Sequence, residues 1–331
     1  MKNEYDIDFV LPWVDGSDPE WIKEFNKYCP EHKRIIDSSS IRYRDYGLLK
    51  YWFRGVEKFT PWVRKVHFVT CGQKPDWLNV NAPKMHWVKH EDYIPKEYLP
   101  VFSANPIELM MHKIPGLAEH FVYFNDDFFL TSSVKESFFF KKGLPCDAAV
   151  MNALSAHGIG HMVLNDLEVI NTHFNKYKSL RSYPLKWFNP KYGLLQMRTL
   201  CLLPWPKFTG FVDFHFAAPF LKPALQEVWA NYEGRLTETV KTRFRSFGDV
   251  NQWLFRYWQL CSGRFFPCNM NRGRKYFSVD GDISEIVSSI AMSRYKEIVL
   301  NDAECSDFDE RMEKIKAAFE LLLPEKSSFE V

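Results

Sequence analysis

Hydrophobic and polar positions change period several times along the first half of the chain, which predicts strands and helices in alternation. Residues 6–14 alternate and then run apolar, which is typical of a strand, and turn-forming residues follow. Pro19 suits the first turn of a helix that continues to Tyr28, with Asp18 as its cap. The same patterns predict a helix over 46–59, strands over 65–70, 85–88 and 121–124, and a helix over 108–120 broken at Pro115-Gly116.

Strands that alternate with helices over the first ~135 residues are typical of an open α/β sheet with parallel strands. The second half has a different pattern and is predicted to be mainly helical. The predicted helices span 163–175, 219–232, 235–245, 248–260 and 307–323, the last with Ser306 and Asp309 as a capping pair.

Composition agrees with a globular protein and excludes some classes of function. The 331 residues are 46% hydrophobic and 25% charged, and the formal net charge of +2 provides no strong field for nucleic acid. The 17% of aromatic residues suits a large aromatic core or rings that stack on a flat ligand. Seven cysteines without a C-x-x-C pair favour reduced thiols. The polar start, and the lack of any apolar run near the ~18 residues that span a bilayer, predict a cytoplasmic location and leave peripheral membrane contact open.

Two adjacent acids, Asp126 and Asp127, interrupt the apolar and aromatic run 121–130. The flanking residues are typical of a strand buried on both faces, where an unpaired carboxylate costs several kcal/mol. In such sheets, ligands bind at the carboxyl ends of the strands. Two interpretations stay open here: a turn in which Asn125 and Asp126 cap backbone groups, or a site for a divalent cation and a phosphate.

The polar turn Asp15-Gly16-Ser17-Asp18 follows the first predicted strand. This position in an open α/β sheet often faces a nucleotide, glycine permits close backbone approach, and the start of the next helix favours phosphate. A polar strand-to-helix turn without a ligand explains the same residues. The common nucleotide fingerprints, G-x-G-x-x-G and the Walker motif, are absent from the sequence.

Two basic clusters carry side chains suited to phosphate. Arginine forks bind phosphate oxygens bidentately, and a basic run that ends at a helix start can do the same. A solvated surface is the alternative explanation for both. The clusters are Arg42-Tyr43-Arg44-Asp45 and the run Lys241, Arg243 and Arg245 ahead of the turn 246–249.

Histidines occur in two informative patterns. His157 and His161 are four residues apart, a spacing that suits zinc on a helix, but the two intervening glycines disfavour a helix. A mobile, glycine-rich loop with a titratable histidine suits a general acid or base instead. Asp213 and His215 alternate within 211–216 and are predicted to share one face of a strand.

Paired acids, several arginines, a histidine and many aromatic residues together suit phosphoryl transfer from a nucleotide-sugar, in which positioning and charge neutralisation dominate catalysis. Four blocks, in order along residues 6–260, resemble the Stealth family of sugar-1-phosphate transferases, which includes bacterial capsule polymerases and GlcNAc-1-phosphotransferase. The blocks are Ile7–Pro19; Arg42–Arg54 with Pro61–Val66, Val69–Gln73, Pro75–Leu78, Phe102–Ser103, Ile107–Glu108 and His112–Lys113; Tyr123–Asp127 with His161–Met162; and Arg245–Ser246 with Asp249–Gln252.

The resemblance implies a fold and a reaction. The expected fold is α/β, a Rossmann-like (GT-A-like) open sheet with a largely helical C-terminal portion. Residues 1–150 would bind the nucleotide-sugar, and residues 151–331 would form an acceptor-side half that completes one catalytic domain. An acceptor hydroxyl would attack the sugar-linked phosphorus of a nucleoside-diphosphate sugar, and a nucleoside monophosphate would leave. The expected partners are a UDP-sugar and an oligosaccharide or polysaccharide; a membrane or other polysaccharide-synthesis proteins stay open.

The resemblance also implies roles for individual residues. Asp126 and Asp127 would hold Mg²⁺ (or Mn²⁺) or the diphosphate, with Asp127 preferred. His161 would be the base on the acceptor hydroxyl, and Arg245 and Arg42 would neutralise charge on the transferred phosphoryl group. The other expected site residues are Asp249 of the fourth block, His215, and the donor-pocket residues Trp13, Asp15, Gly16, Gln73 and Glu108.

The chain departs from the family pattern at two positions. Relatives often have proline between two closer histidines, which makes His157 a weaker candidate than His161. Relatives can have asparagine at the position of Asp15, so this residue is interpreted as a donor contact and not as a base. Two alternatives remain: a conventional metal-dependent glycosyltransferase that uses the same acids, and a non-catalytic carbohydrate-binding protein whose acids are structural.

Overall fold

The structure is a computed structural model that describes residues 5–29, 43, 47–155 and 157–331. The apolar runs that predict strands in the first half of the chain form the first four strands, within one or two residues at each end. The strands of the described residues are β1 Ile7–Pro12, β2 Val66–Thr70, β3 Met85–Lys89, β4 His120–Tyr123, β5 Phe128–Leu130, β6 Phe140–Lys141, β7 Leu144–Asp147, β8 Ala218–Leu221, β9 Phe266–Pro267, β10 Arg274–Ser278 and β11 Glu297–Asn301.

Helices cover the sheets and make up most of the second half. The first helix confirms the predicted start, because Pro19 is its first residue and the Asp18 side chain accepts from the Glu20 N–H. The α-helices of the described residues are α1 Pro19–Tyr28, α2 Leu49–Phe59, α3 Ala104–Leu109, α4 Gly160–His173, α5 Lys176–Ser182, α6 Pro184–Trp187, α7 Gln196–Cys201, α8 Lys222–Val240, α9 Trp253–Cys261, α10 Ile283–Ala291 and α11 Phe308–Leu322. Short 3-10 helices lie at His90–Asp92, Lys96–Tyr98, Met111–Lys113, Glu136–Phe138 and Pro190–Leu195.

The central sheet has five strands in the order β3-β2-β1-β4-β8. Strand β1 pairs in parallel with β2 and β4, β2 pairs in parallel with β3, and β8 runs antiparallel to β4. The carboxyl ends of four parallel strands therefore lie along one edge of the sheet. The predicted α/β class, an open parallel sheet followed by a largely helical portion, is confirmed.

Hydrophobic cores lie on both faces of the central sheet. In β1, Phe9 and Leu11 belong to one core and Val10 belongs to the other, because successive strand residues point to opposite faces. The first core is completed by side chains such as Phe53 of α2 and Phe319 of α11, and the second by the apolar residues of α9. Burial on both faces explains why these strands are mainly apolar; the exceptions, Asp8 of β1 and His67 of β2, are buried and bonded to each other over 2.8 Å.

The helix predicted over 108–120 is wrong beyond its first residues. The chain forms α3, a short 3-10 turn and then an irregular segment before β4. In that segment the Ala118 N–H donates to the Asp8 carboxylate over 2.8 Å, and Arg64 donates to the carbonyl of Gly116 over 2.7 Å. These long-range contacts satisfy backbone groups that a helix would pair internally.

The helices predicted over 219–232 and 235–245 are wrong in their bounds, because strand β8 comes first and α8 follows. The predicted break between them is present as a kink in α8 at Tyr232. Strand β8 forms the edge of the sheet, which is where a proline such as Pro219 is tolerated. On this edge strand, the N–H of Leu221 donates to the side-chain oxygen of Gln259 over 2.8 Å.

The last third contains strands that the sequence patterns did not predict. Strands β10 and β11 are parallel, and β11 pairs antiparallel with β5 in a second sheet, with Glu297 opposite Leu130. The predicted helix over 307–323 is present as α11, but its predicted cap is wrong. Asp307 occupies the N-cap without a side-chain cap bond, and its carboxylate pairs with Arg311 over 2.8 Å.

Each of the three sheets formed by the described residues combines strands from both halves of the chain. Strand β8 extends the central sheet, β11 pairs with β5, and β9 pairs with β7. The division into residues 1–150 and 151–331 stays a prediction. No helix within the described ranges is both long and apolar enough to cross a membrane.

Candidate active site

A cavity of about 280 Å³ opens across the carboxyl ends of the four parallel strands. Trp13 follows β1, Cys71 follows β2, His90 follows β3 and Asp126 follows β4, and each of these residues lines the cavity. This edge is where open α/β sheets bind ligands. The lining also includes Trp21, Tyr43, Phe102, Glu108 and Arg245.

Gly16 is a point of very close backbone approach. Its N–H donates to the carbonyl of Tyr43 over 2.9 Å, and a Cβ at this position would lie 2.3 Å from the Cβ of Tyr43. The Tyr43 hydroxyl donates in turn to the carbonyl of Phe102 over 2.9 Å. Glycine is therefore needed here because Tyr43 packs against the turn, and this contact holds an aromatic ring in the cavity wall.

Asp15 and Gln73 join two strand ends through a pair of hydrogen bonds. The Asp15 N–H donates to the Gln73 side-chain oxygen over 3.1 Å, and the Gln73 amide donates to the Asp15 carbonyl over 2.9 Å and to Asp18 over 2.8 Å. The Asp15 carboxylate accepts from the N–H and the hydroxyl of Ser17. These residues line a shallow cleft that adjoins the main cavity at Trp13.

Glu108 lies in the inner wall of the cavity and is buried. The Tyr123 hydroxyl donates to its carboxylate over 2.7 Å. Burial raises the pKa of Glu108, and the Tyr123 hydrogen bond and the positive charge of Arg245 oppose that rise. Burial also lowers the pKa of the neighbouring cavity residue His90 to about 4, so that its imidazole is neutral at pH 7.

Arg245 reaches the cavity from a loop that is fixed at several points. The buried Asp249 carboxylate accepts from the Ser246 N–H and from the Asn105 amide, each over 2.9 Å. The ring of Phe244 stacks on Phe102 with centroids 5.2 Å apart. Asp249 therefore faces the interior of its own loop and connects that loop to α3, whereas Arg245 faces the cavity.

His161 lies in the first turn of α4 and not in a mobile loop, which corrects the expectation from its glycine-rich surroundings. Its ring packs on Phe247, with centroids 4.8 Å apart, and Phe247 is 83% exposed. One turn along α4, the Asn165 amide donates to the carbonyls of Phe247 and Asp249 over 2.7 and 2.8 Å. His161 is thereby placed beside the Arg245 loop, while His157 stays exposed on the preceding turn.

Asp126 and Asp127 have different surroundings although they are adjacent. Asp126 lines the cavity, whereas the Asp127 carboxylate lies 3.8 Å from Nε2 of His215. The N–H of Phe128 donates to the carbonyl of Asn125 over 3.2 Å, so the segment also forms the predicted turn. The segment therefore forms a turn, and of its two acids Asp126 lines the main cavity and Asp127 does not.

Within the described part of the chain, no three His, Cys, Asp or Glu side chains come together in a group that could hold a metal ion. Mg²⁺ does not need such a cage, since it commonly takes one or two carboxylates together with phosphate oxygens and water. An aspartate in the wall of a cavity that also contains an arginine fits that mode of binding.

Asp213 and His215 do not share a face, which corrects the strand predicted over 211–216. The segment has only an isolated bridge at Phe211, and it is otherwise irregular. Asp213 accepts from the buried Arg256 over 2.8 Å and from the Tyr257 hydroxyl over 2.7 Å. The ion pair at Arg256 turns Asp213 inward, while His215 faces Asp127.

Several cavity residues were not predicted. His90 and Cys71 each follow a parallel strand directly, so their position at a strand end was an available signal. Phe102 and Tyr123 line the cavity but looked like core residues from their hydrophobic pattern, and their place in the family blocks was the available signal. Arg42, predicted to neutralise phosphate charge, lies outside the described residues.

Comparison with known proteins identifies the family. Residues 5–32 match Stealth protein conserved region 1, and residues 42–146 match conserved region 2. The chain is 43% identical to a capsular polysaccharide phosphotransferase, WcwK, of Streptococcus pneumoniae, over 100% of this chain and 99% of the relative.

Other relatives and one solved structure extend the comparison. The chain is 41% identical to the exopolysaccharide phosphotransferase cps2G of Lactiplantibacillus plantarum, over 98% of this chain and 96% of the relative. It is 40% identical to the receptor polysaccharide phosphotransferase WefC of Streptococcus gordonii, over 98% and 99%. The glycosyltransferase GlyE of Streptococcus pneumoniae aligns over 95% of this chain and 91% of its own with 8% identity and a TM-score of 0.23. On the strength of the full-length relatives and the two conserved regions, the chain belongs to the Stealth family of polysaccharide phosphotransferases.

Proposed function

We propose that this protein transfers a sugar-1-phosphate from a nucleoside-diphosphate sugar to a glycan hydroxyl in bacterial cell-surface polysaccharide synthesis. The observation that carries the proposal is a single cavity at the carboxyl edge of the parallel sheet that brings Asp126, Glu108 and Arg245 together. An arginine and a carboxylate in one cavity suit a diphosphate that is held with a divalent cation. Family membership supports the transfer of phosphate with the sugar.

The donor would lie with its diphosphate between Asp126 and Arg245. The rings of Trp13, Trp21 and Tyr43 in the same cavity suit a flat base, for which uracil is the expected case. Arg245 is held by a loop fixed through Asp249, so its guanidinium can neutralise charge on the transferred phosphoryl group without large rearrangement.

The attack would form one bond and break one bond at the same phosphorus. The acceptor oxygen bonds to the phosphorus linked to the sugar, and the bridging P–O bond breaks, so that the nucleoside monophosphate leaves with the electron pair. His161 would take the proton of the acceptor hydroxyl, because it lies beside the Arg245 loop on a rigid helix.

Mg²⁺ (or Mn²⁺) would be held by Asp126 and the diphosphate oxygens, and its charge would stabilise the leaving phosphate. Asp127, which the family pattern favoured, is the second candidate ligand, because its carboxylate faces His215 and does not line the cavity as Asp126 does. His215 is expected to contact the substrate beside Asp127.

Phosphorus NMR of the reaction products tests the proposal. The full chain is incubated with Mg²⁺, a panel of nucleotide-sugars beginning with UDP-sugars, and candidate oligosaccharide acceptors. A new phosphodiester resonance together with nucleoside monophosphate supports the proposal.

Two other products of that experiment would overturn it. A glycoside and free nucleoside diphosphate would identify a conventional glycosyltransferase. Binding of the acceptor without turnover of any donor, by protein whose folding is verified, would indicate a carbohydrate-binding protein. The cytoplasmic location and an association with other polysaccharide-synthesis proteins stay predictions.

A further inference from the structure

Residues 176–207, here called the basic arm, expose an unusual amount of apolar side chain. The basic arm comprises α5, α6, the 3-10 helix Pro190–Leu195, α7 and the turn that follows. Seven of the fifteen large hydrophobic side chains that are exposed among the described residues lie between Tyr177 and Trp205. Leu194 is 90% exposed and Leu185 is 81% exposed. Apolar exposure on this scale marks interaction surfaces of proteins.

The charge of the basic arm is of one sign. From residue 169 to residue 212 the sequence has seven lysines and arginines and no acidic residue, whereas the remainder has 36 basic and 41 acidic side chains. Five of the seven are exposed: Lys178, Arg181, Lys191, Arg198 and Lys207. The near-neutral composition of the whole chain therefore conceals a strongly basic segment.

The basic arm is held together as one structural unit. The buried Lys176 ammonium donates to the carbonyls of Leu202 and Trp205 over 2.6 and 2.5 Å, which joins α5 to the final turn. The Tyr192 hydroxyl donates to the carbonyl of Lys186 over 2.5 Å, which joins the 3-10 helix to α6. Buried lysine and tyrosine thus fix the backbone, while the exposed apolar and basic side chains face outward.

We propose that the basic arm binds the surface of an anionic lipid bilayer. Exposed leucines and Trp205 suit insertion at the boundary between headgroups and acyl chains, and exposed lysines and arginines suit the phosphates above it. A second copy of the arm is a poor occupant because both faces would carry the same charge. The amphipathic helix α11 lacks this character, since its exposed face mixes Glu310, Glu313 and Lys314.

The basic arm is also connected to the candidate active site. The Asn171 side chain, near the end of α4, exchanges hydrogen bonds of 2.9 Å with the backbone N–H and carbonyl of Phe208. His161 lies ten residues earlier on the same helix, about 15 Å away along its axis. Under the proposed function, in which His161 is the base, the helix that holds the base is therefore the same helix that contacts the basic arm.

Vesicle sedimentation of the full chain tests this inference without any nucleotide-sugar, so the result is independent of the proposed reaction. We expect binding to vesicles of phosphatidylcholine with phosphatidylglycerol, little binding to phosphatidylcholine alone, and weaker binding as salt rises. Lys178→Gln and Arg181→Gln should each lower the partition coefficient about fivefold. Leu194→Ser combined with Trp205→Ser should lower it about tenfold or more.

Matched controls lie outside the basic arm. Met292→Ser combined with Leu321→Ser removes two apolar side chains that are 67% and 78% exposed, and should leave vesicle binding unchanged. Circular dichroism verifies that each variant is folded. The inference would be overturned if arm and control variants lost the same amount of vesicle binding, or if binding did not depend on lipid charge. It would also be overturned if the arm variants changed only the oligomeric state measured by sedimentation equilibrium.

Discussion

The Tyr123 hydroxyl donates a 2.7 Å hydrogen bond to the carboxylate of Glu108 in the inner wall of the cavity. Tyr123 is the last residue of a central strand, and Glu108 lies on α3, so the bond joins the sheet to the helix that covers its carboxyl edge. Both side chains are buried, and burial raises the pKa of each. A buried acid beside the proposed diphosphate site makes the stability of the fold depend on pH.

Glu108→Gln should change how stability depends on pH. Because the pKa of Glu108 is raised above its ordinary value of 4.5, the folded protein retains a proton that the unfolded chain releases as pH rises past that value. The stabilisation from Glu108 is therefore full below pH 4.5 and is lost as pH rises through the folded-state pKa. Glutamine keeps an oxygen for the Tyr123 bond and does not titrate. Urea unfolding at several pH values should show the stability of the variant rising relative to that of the parent as pH rises. Variant and parent that keep the same difference at every pH would contradict the raised pKa of Glu108.

Gly16→Ala should weaken donor binding. The new methyl group would lie 2.3 Å from the Tyr43 Cβ and 2.4 Å from its carbonyl oxygen, so Tyr43 must move out of the cavity wall. Overpacking of this kind costs about 1–3 kcal/mol, which, where donor binding has to restore the position of Tyr43, corresponds to roughly a fivefold to hundredfold rise in the Kd for the donor. Isothermal titration calorimetry measures the change. Gly234→Ala is the control, because nothing lies within 4 Å of the place that its new methyl group would occupy; equal effects of the two variants would contradict the role of Tyr43.

Arg245→Gln and Asp249→Asn should separate a catalytic role from a positioning role. Loss of a charged donor that acts in the transition state lowers kcat by about 10²–10³, so Arg245→Gln should lose activity by that factor. Asp249 accepts from Ser246 and Asn105 in the interior, so Asp249→Asn should lower the free energy of unfolding by about 1–3 kcal/mol as well. Steady-state kinetics and urea unfolding measure both quantities. An Arg245→Gln enzyme with parental kcat would exclude the proposed neutralisation of charge.

Asp126→Asn should weaken the binding of the divalent cation more than Asp127→Asn does. Asp126 lines the cavity, while Asp127 faces His215 at 3.8 Å. Loss of a ligand or of its support lowers metal affinity by about 10–100-fold. Electron paramagnetic resonance of Mn²⁺ in the presence of the nucleoside diphosphate reports binding directly and does not depend on turnover. A larger loss for Asp127→Asn would restore the assignment that the family pattern favours.

His161→Ala should lower turnover much more than His157→Ala. His161 is fixed on α4 against Phe247 beside the Arg245 loop, whereas His157 lies exposed on the turn before the helix. General bases contribute about 10²–10⁴ to rate, so we expect a loss of that order for His161→Ala and less than a tenfold loss for His157→Ala. The initial rate of nucleoside monophosphate release measures both. The reverse order would move the base to His157.

The sequence alone determined the four parallel strands of the central sheet and the edge where the cavity lies. The mainly apolar runs at 7–12, 66–70 and 120–124 are buried on both faces, and a polar residue follows each run within three positions. Periodicity and strand ends were therefore sufficient to predict the edge of the sheet at which the cavity opens. The four family blocks added the family and the expected reaction. These features are local along the chain, which is why a linear pattern can encode them.

Only the tertiary structure decided which of the predicted side chains meet. Asp126 and Asp127 face different surroundings, because Asp126 lines the cavity at the strand end and Asp127 faces His215. Asp213 points toward the interior because it pairs with Arg256. Position 16 requires glycine because Tyr43 packs against it, and strand β5 pairs with β11 near the other end of the chain. Such pairings depend on how helices and sheets pack in three dimensions, and the period of hydrophobic residues reports the burial of a side chain but not the identity of its neighbour.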